Sequence, residues 1–333
     1  MAGYSHAAVS SVLNGRAAER RISLGTVERV KDAARALGYI PNIAARRLRS
    51  NTAGRSQAVL AVITSFETPL LLVSRAARAL QRQIEDTGSA HTQFTVSIEM
   101  FHAGRLSELP GILTNDCFSG ALIANTVGSD DLFLTQARIP FPVVLIGRRV
   151  AGYASVVENA ATGSEAARLL MGSGCRRWAV LYPALSTQAS QSRVRQFVAA
   201  AAAAGLPPVR EIACADRSEQ AGCAAMREHF RGRNRADGVF AINDTLAIGA
   251  YHAVREAGLS IPRDLCFVGV GDNDASPFLA PPLTCVGSSE NALHEEAARL
   301  LLRNFSGHPA AAPLELPLVT ALRGSTRQPP CRP

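Results

Sequence analysis

The residues of this sequence best placed to act on another molecule are arginines gathered near its start, not a nucleophile or a set of metal ligands. Within residues 1–56, nine arginines and Lys31 face only Glu19, Glu28 and Asp32, so this sixth of the chain carries +7 of a total of +8. Guanidinium groups at that density attract phosphate and release the counterions of a nucleic acid. Charge alone leaves open a merely solvated basic tail. Arg46, Arg47 and Arg49 surround a single leucine, Leu48, in the stretch Ile43–Ser50, which Asn42 can cap as a short helix.

Two kinds of element position these groups. Near the start, Ser5 can cap a helix with Val9, Val12 and Leu13 on one face, ending at Asn14-Gly15. Ser23 can cap the next, Leu24–Leu37, whose stripe is Val27, Val30, Ala34 and Leu37; Gly38 stops it and Tyr39-Ile40-Pro41 breaks the chain. From Gln57 onward, short apolar runs alternate with amphipathic stretches. The expected strands are Ala58–Thr64, Phe94–Met100, Gly120–Ala124, Val143–Ile146, Arg177–Tyr182, Gly238–Ala241 and Cys266–Val270. The expected helices are Leu70–Asp86, Asn159–Met171, Arg193–Ala204, Glu219–Phe230, Thr245–Ala257 and Glu290–Asn304. Apolar strands separated by helices imply parallel sheets covered on both faces, here two doubly wound lobes of an α/β protein. Such lobes bind ligands at the carboxyl ends of their strands.

Composition excludes several classes. A length of 333 residues suits about two domains, and 47% hydrophobic with 19% charged residues describes a globular chain. No apolar run reaches the roughly 18 residues of a membrane-spanning helix, and Met1–His6 does not read as a secretory signal, so a cytoplasmic protein is expected. Seven scattered cysteines form no Cys-x-x-Cys pair, so neither a zinc finger nor a disulfide framework is indicated. Gly269-x-Gly271 opens like a dinucleotide loop, but Asp274 stands where a third glycine is needed. With no Gly-x-Ser-x-Gly, phosphate-binding lysine loop or His-Glu-x-x-His, neither an enzyme nor a cofactor or metal is expected.

Several separated motifs together resemble the LacI/GalR (lactose-repressor) family of bacterial transcription regulators, from Ala2 to about Thr326. They are Ala2-Gly3-Tyr4-Ser5 leading to Val9-Ser10-Ser11-Val12-Leu13-Asn14-Gly15; Leu37-Gly38-Tyr39-Ile40-Pro41-Asn42 with Ala45-Arg46-x-Leu48-Arg49; Ala241-Ile242-Asn243-Asp244 with Ala247, Gly249 and Ala250; Pro281-Pro282-Leu283-Thr284; and Arg323-Gly324-Ser325-Thr326. The resemblance implies a helix-turn-helix head (1–41), a hinge helix and linker (42–57), a two-lobe core like the periplasmic sugar-binding proteins (58–327) and a tail (328–333). Three crossovers would join the lobes, with 58–156 and 288–306 in the first, and most of 157–287 with 314–326 in the second. The family's first helix would precede Ala2, so the head reads as truncated; a start codon placed too far downstream is the expectation, and Val9, Val12 and Leu13 would lack part of their packing partner. The loop Gly15–Arg21 is longer than usual and basic, and reads as an extra phosphate-facing loop.

By the same resemblance, the helix beginning at Ser5 lies in the major groove of a palindromic operator. His6, Ala7 and Ser11 would face base edges, while Ser5, Ser10 and Asn14 would meet phosphates or hold helix ends. Leu48 would wedge into the minor groove at the centre of the site, with Arg46, Arg47 and Arg49 on phosphates and Asn42 opening the hinge helix. Between the lobes, Arg193, Asn243 and Asp244 match effector contacts. The chain departs from the family where Gly271 and Asp272 follow Val270 without the first of two carboxylates, where Gly147-Arg148 replaces an aspartate, and where Arg217 takes a place that is aromatic in some sugar binders. Lost negative and added positive charge imply an anionic effector, a sugar acid or phosphorylated sugar; the alternative has Arg148 and Arg217 pointing to solvent. Phe66 and Leu71 would form the apolar wall. The surface around Leu70–Asp86 would pair two protomers, and with no heptads after Thr326 a homodimer is expected. The sign of control, induction or co-repression, is left open. A periplasmic-type sugar-binding protein, or a DNA-silent ligand sensor, is the alternative reading.

Overall fold

Runs such as Leu60-Ala61-Val62-Ile63, buried on both faces, can sit only inside a sheet sandwiched between helices. That is where they lie in the computed structural model, which describes residues 4–13, 17, 20, 22–36, 56–88, 92–232, 235–308 and 312–327. The chain divides into two units, residues 1–57 with 90–93 and residues 58–89 with 94–333.

In the smaller unit, α1 (His6–Leu13) packs against α2 (Leu24–Ala36). Both start where the expected caps stand. The Ser5 hydroxyl accepts from the Ala8 N–H at 3.3 Å, and the Ser23 hydroxyl accepts from the Thr26 N–H at 3.4 Å. Val12 and Val30 are buried. The hinge stretch Ile43–Ser50, the end of the loop at Arg21 and the tail 328–333 lie outside the described residues.

The larger unit carries two six-stranded sheets. The first uses β1 (Ser56–Ser65), β2 (Thr92–Phe101), β3 (Gly120–Ala124), β4 (Val143–Ile146), β5 (Ala154–Val157) and, after the second sheet, β11 (Leu314–Glu315), in the order β11-β5-β4-β3-β1-β2. The second uses β6 (Trp178–Pro183), β7 (Arg210–Cys214), β8 (Gly238–Ala241), β9 (Cys266–Val270), β10 (Thr284–Gly287) and β12 (Val319–Ala321), in the order β12-β10-β9-β8-β6-β7. β12 pairs antiparallel against β10. Helices α3 (Leu70–Thr87) and α9 (Glu290–Phe305) cover one face of the first sheet, and α4 (Gly128–Gln136) lies on the other. In the second lobe, α5 (Thr162–Gly172) and α6 (Gln188–Ala203) cover one face and α7 (Glu219–Arg231) and α8 (Asp244–Glu256) the other.

Every expected strand and helix of this unit is present, with ends moved by up to five residues. Five strands, β5, β7, β10, β11 and β12, and helix α4 were not expected. The first lobe also ends later than expected: Leu314 and Glu315 pair parallel with Val156 and Val157 of β5 before the chain crosses, so 314–326 is split between the lobes. Backbone groups at the edge of β5 take this short segment as a partner because an open parallel edge leaves them unpaired.

The chain crosses between lobes at 158–161, 288–289 and 316–318. Ser288, buried in the second crossover, ties the three together. Its hydroxyl accepts from the Asn159 N–H at 3.3 Å and lies 3.0 Å from the Pro317 carbonyl and 3.4 Å from that of Leu316.

Helices α7 and α8 meet through glycines. A Cβ on Gly249 would overlap the Glu219 carbonyl, and one on Gly222 would overlap the Leu246 carbonyl. Gly249→Ala is expected to cost about 1–3 kcal/mol, because only backbone can give way. Gly172→Ala, with nothing within 4 Å of the added carbon, is expected to be neutral or stabilising by up to about 1 kcal/mol. Urea unfolding of both variants measures the contrast.

Candidate functional site

The carboxyl ends of β1, β3 and β4 face those of β6, β7, β8 and β9 across a cleft of about 930 Å³, counting its open mouth. Leu71 and Leu72 of α3, with Ile146 and Val270, supply apolar wall, while Asn125, Thr187, Ser190, Asn243 and Asn273 supply amide and hydroxyl groups. Three arginines line it as well: Arg148 from the first lobe, and Arg193 and Arg217 from the second.

The arginines differ in how their charge is held. Arg193, on α6, donates from Nε to Glu158 Oε1 at 2.8 Å and also from Nη2 to Oε2, a bidentate pair in which both side chains are largely buried, and Nη1 reaches the Ile242 carbonyl. Arg148 follows Gly147, whose φ of +73° turns the chain sharply at the end of β4. Its guanidinium folds inward, with Nε on the Ile146 carbonyl at 3.2 Å and Nη1 on the Thr126 carbonyl at 2.7 Å, the Thr126 hydroxyl and Asp131 at 3.5 Å. Burial lowers its pKa to about 10, against the pull of Asp131, so it remains charged at neutral pH. Arg217 spans the cleft, donating from Nη1 to Asn125 Oδ1 at 2.9 Å. Neither Arg148 nor Arg217 simply points to solvent.

The Asn243-Asp244 pair opens α8. Asn243 Oδ1 caps that helix by accepting from the Leu246 N–H at 2.8 Å. Asp244 is almost wholly buried and accepts from the Asn273 N–H at 2.7 Å, the Ser276 hydroxyl at 2.6 Å and the Cys285 thiol at 3.5 Å. Burial pushes its carboxyl above the ordinary range despite these donors. It borders the cleft, but its oxygens are engaged by protein.

Of the expected effector residues, the cleft gathers Leu71, Arg148, Arg193, Arg217, Asn243 and Asp244. Three expectations need correcting. Phe66 is half exposed and packs on His102, with ring centroids 4.9 Å apart, rather than lining the cleft. Gly271 and Asp272 border a separate, smaller cavity with Ser288 and Val319. Left-handed φ values of +108° and +51° at these two residues swing the chain away, and Arg323 holds the Asp272 carboxylate at 2.7 and 3.0 Å. The next residue, Asn273, lines the cleft instead. Asn273, Asn125, Thr187 and His294 carried no recognised motif, although Asn125 follows β3 directly, where the strand-end rule would have found it.

In the head, Ser5 sits just before α1 and is exposed; His6, Ala7, Ser10 and Ser11 lie within that helix. Asn14, Asn42, Arg46, Leu48 and Arg49 fall outside the described residues.

The environment of Asp244 sets a pH dependence. With a folded pKa raised above its unfolded value, its protonated form is favoured by folding, so that stabilisation is present below the unfolded pKa and lost as pH rises through the folded one. Asp244→Asn removes this titration. Its stability relative to the parent is expected to improve as pH rises above about 4, the ordinary range of an aspartate, whatever offset the lost acceptor introduces. Urea midpoints across that range test the slope.

A family profile described as a periplasmic binding protein-like domain matches residues 167–326. CelR of Thermobifida fusca, an HTH-type transcriptional regulator, is 27% identical over 97% of this chain and 94% of its own length. A structure of a CelR–cellobiose complex superposes with a TM-score of 0.67 at 26% identity, covering 97% of each chain. A LacI family transcription regulator from Clostridium acetobutylicum shares the core fold, with a TM-score of 0.68 over 79% of this chain and 98% of that one at 23% identity. Among the described residues no helix is long and apolar enough to cross a membrane. End-to-end likeness to a regulator, joined to a two-lobe core carrying the motifs read from the sequence, makes this chain similar to the LacI family of transcriptional regulators.

Proposed function

We propose that this chain is a homodimeric repressor that binds a palindromic DNA operator through residues 1–57 and releases or tightens it when a small molecule enters the cleft. The observation that carries the reading is the cleft itself, walled by both lobes, in a chain whose likeness to CelR continues through the basic head. Residues 1–41 act as the helix-turn-helix head and 42–57 as the hinge. Ser5, His6, Ala7, Ser10, Ser11 and Asn14 form the major-groove contact, and Leu48 with Asn42, Arg46 and Arg49 the minor-groove contact. Leu70 of α3, 77% exposed, belongs to the surface on which two protomers pair.

The effector is a polyhydroxylated molecule held by the amide and hydroxyl groups of the cleft, beside Arg193, whose guanidinium is fixed in place by Glu158. The anionic preference expected from the two added arginines is carried by Arg217, which lines the cleft and bonds Asn125 across it. A carboxylate or phosphate on the sugar would take the place of Asn125 on Arg217.

Two expected outcomes follow from this assignment. In fluorescence anisotropy with palindromic fragments from its own promoter region, the chain binds specifically and loses affinity steeply with salt, while Leu48→Ala weakens specific binding at least about tenfold. Binding indistinguishable from that to random DNA would overturn the regulator reading. In isothermal titration, sugar acids or sugar phosphates bind tighter than their neutral parents, and Arg217→Ala erases about tenfold or more of that preference. Tightest binding by a neutral sugar would remove the anionic effector and leave the regulator standing.

A further inference from the structure

The seam between α7 and α8, on the far side of the second sheet from α5 and α6, holds a cluster the function above does not use. Cys223 of α7 and His252 and Glu256 of α8 place one ligand atom each within 4.8 Å of the others. His252 and Glu256 stand one helical turn apart, with Nε2 and Oε1 already 3.2 Å from each other. Cys223 reaches them because it follows Gly222, where the helices touch backbone to backbone. A side chain as short as cysteine spans the seam only at such an approach.

We propose that this seam is a site for a divalent cation of borderline softness, with Zn²⁺ as the fitting ion. Thiolate, imidazole and carboxylate together match the ligand preferences of zinc. Bonds of about 2.0–2.3 Å in a tetrahedral arrangement require ligand atoms roughly 3.3–3.8 Å apart, so the cluster needs to contract by about one ångström. The thiol is buried, while His252 and Glu256 are 49% and 41% exposed, which leaves an outward fourth position for water. The thiol proton is released on binding, and the thiolate and carboxylate neutralise the ion's charge.

Two arginines stand where the ion would compete. Arg227 grips Glu256 through Nε and Nη2, both at 2.6 Å, and Arg255 Nη2 lies 3.1 Å from His252 Nδ1. Since Arg227 and Glu256 are both more than two-fifths exposed, and Arg255 is exposed as well, each arginine can swing into water at small cost. Scattered cysteines at no recognisable spacing concealed the cluster in the sequence, because its ligands come from two helices.

The untagged full chain, titrated with Co²⁺ and then Zn²⁺, tests the site. One Co²⁺ per chain is expected, with a thiolate-to-cobalt charge-transfer band that Zn²⁺ removes. Cys223→Ser abolishes the band; His252→Ala weakens binding by roughly tenfold or more. Arg227→Ala, which frees Glu256 from its competitor, tightens binding about two- to fivefold, the equivalent of an exposed ion pair. No thiolate band at excess Co²⁺ overturns the proposal, as does a band that survives Cys223→Ser and so belongs to another cysteine. Circular dichroism checks that each variant is folded, and His252→Ala carries the test if Cys223→Ser is not.

Discussion

The architecture depends on three chain segments that cross between two lobes and are held together by one hydroxyl. Each lobe closes its own core around its own sheet, and the lobes are joined by the crossovers and by polar contacts at the cleft. Ser288 touches the other two crossovers at Asn159 and at the Leu316 and Pro317 carbonyls. A buried hydroxyl satisfied by three backbone groups is expensive to disrupt. The three segments are therefore fixed to one another where the chain passes between the lobes.

Within the cleft, burial and pairing decide what the charged groups can do. Arg193 is held by Glu158 through both arms of its fork and by the Ile242 carbonyl through Nη1. Arg148 is consumed by Thr126 and Asp131, and Asp244 by the Asn273 N–H and Ser276 hydroxyl. Counting charges along the sequence treats all of these as alike. Desolvation separates them, because an arginine or carboxylate deprived of water must find its partners inside the protein before it can serve a ligand.

That distinction explains what the sequence made legible. The alternation of apolar runs and amphipathic stretches located every long strand and helix, because two-sided burial leaves a pattern that needs no tertiary information. β7 escaped because Arg210 and Glu211 face outward at a sheet edge, and β11 because two residues cannot show a period. Motifs placed Arg193, Asn243 and Asp244 at the cleft. Asp272 failed because left-handed backbone at Gly271 and Asp272 redirects it to Arg323, a contact between residues 51 apart in sequence. Arg148 was placed at the cleft, but the direction of its guanidinium depends on Asp131, which no local spacing announces.

The contacts that hold the lobes together are individually weak, and that bears on how the cleft can act as a switch. Arg217 reaches Asn125, the Gln188 amide pairs with the Arg149 backbone at 2.9 and 3.3 Å, and Arg75 meets Asp274 at 3.2 Å. Moving a two-state population from one in a hundred to ninety-nine in a hundred takes roughly 5.5 kcal/mol. A ligand contacting both walls supplies that difference only if its bonds to the two lobes are made together, which requires the closed arrangement. The groups that line the cleft and those that join its walls thus overlap, because Arg217 and Asn125 both face the cleft and bond each other across it.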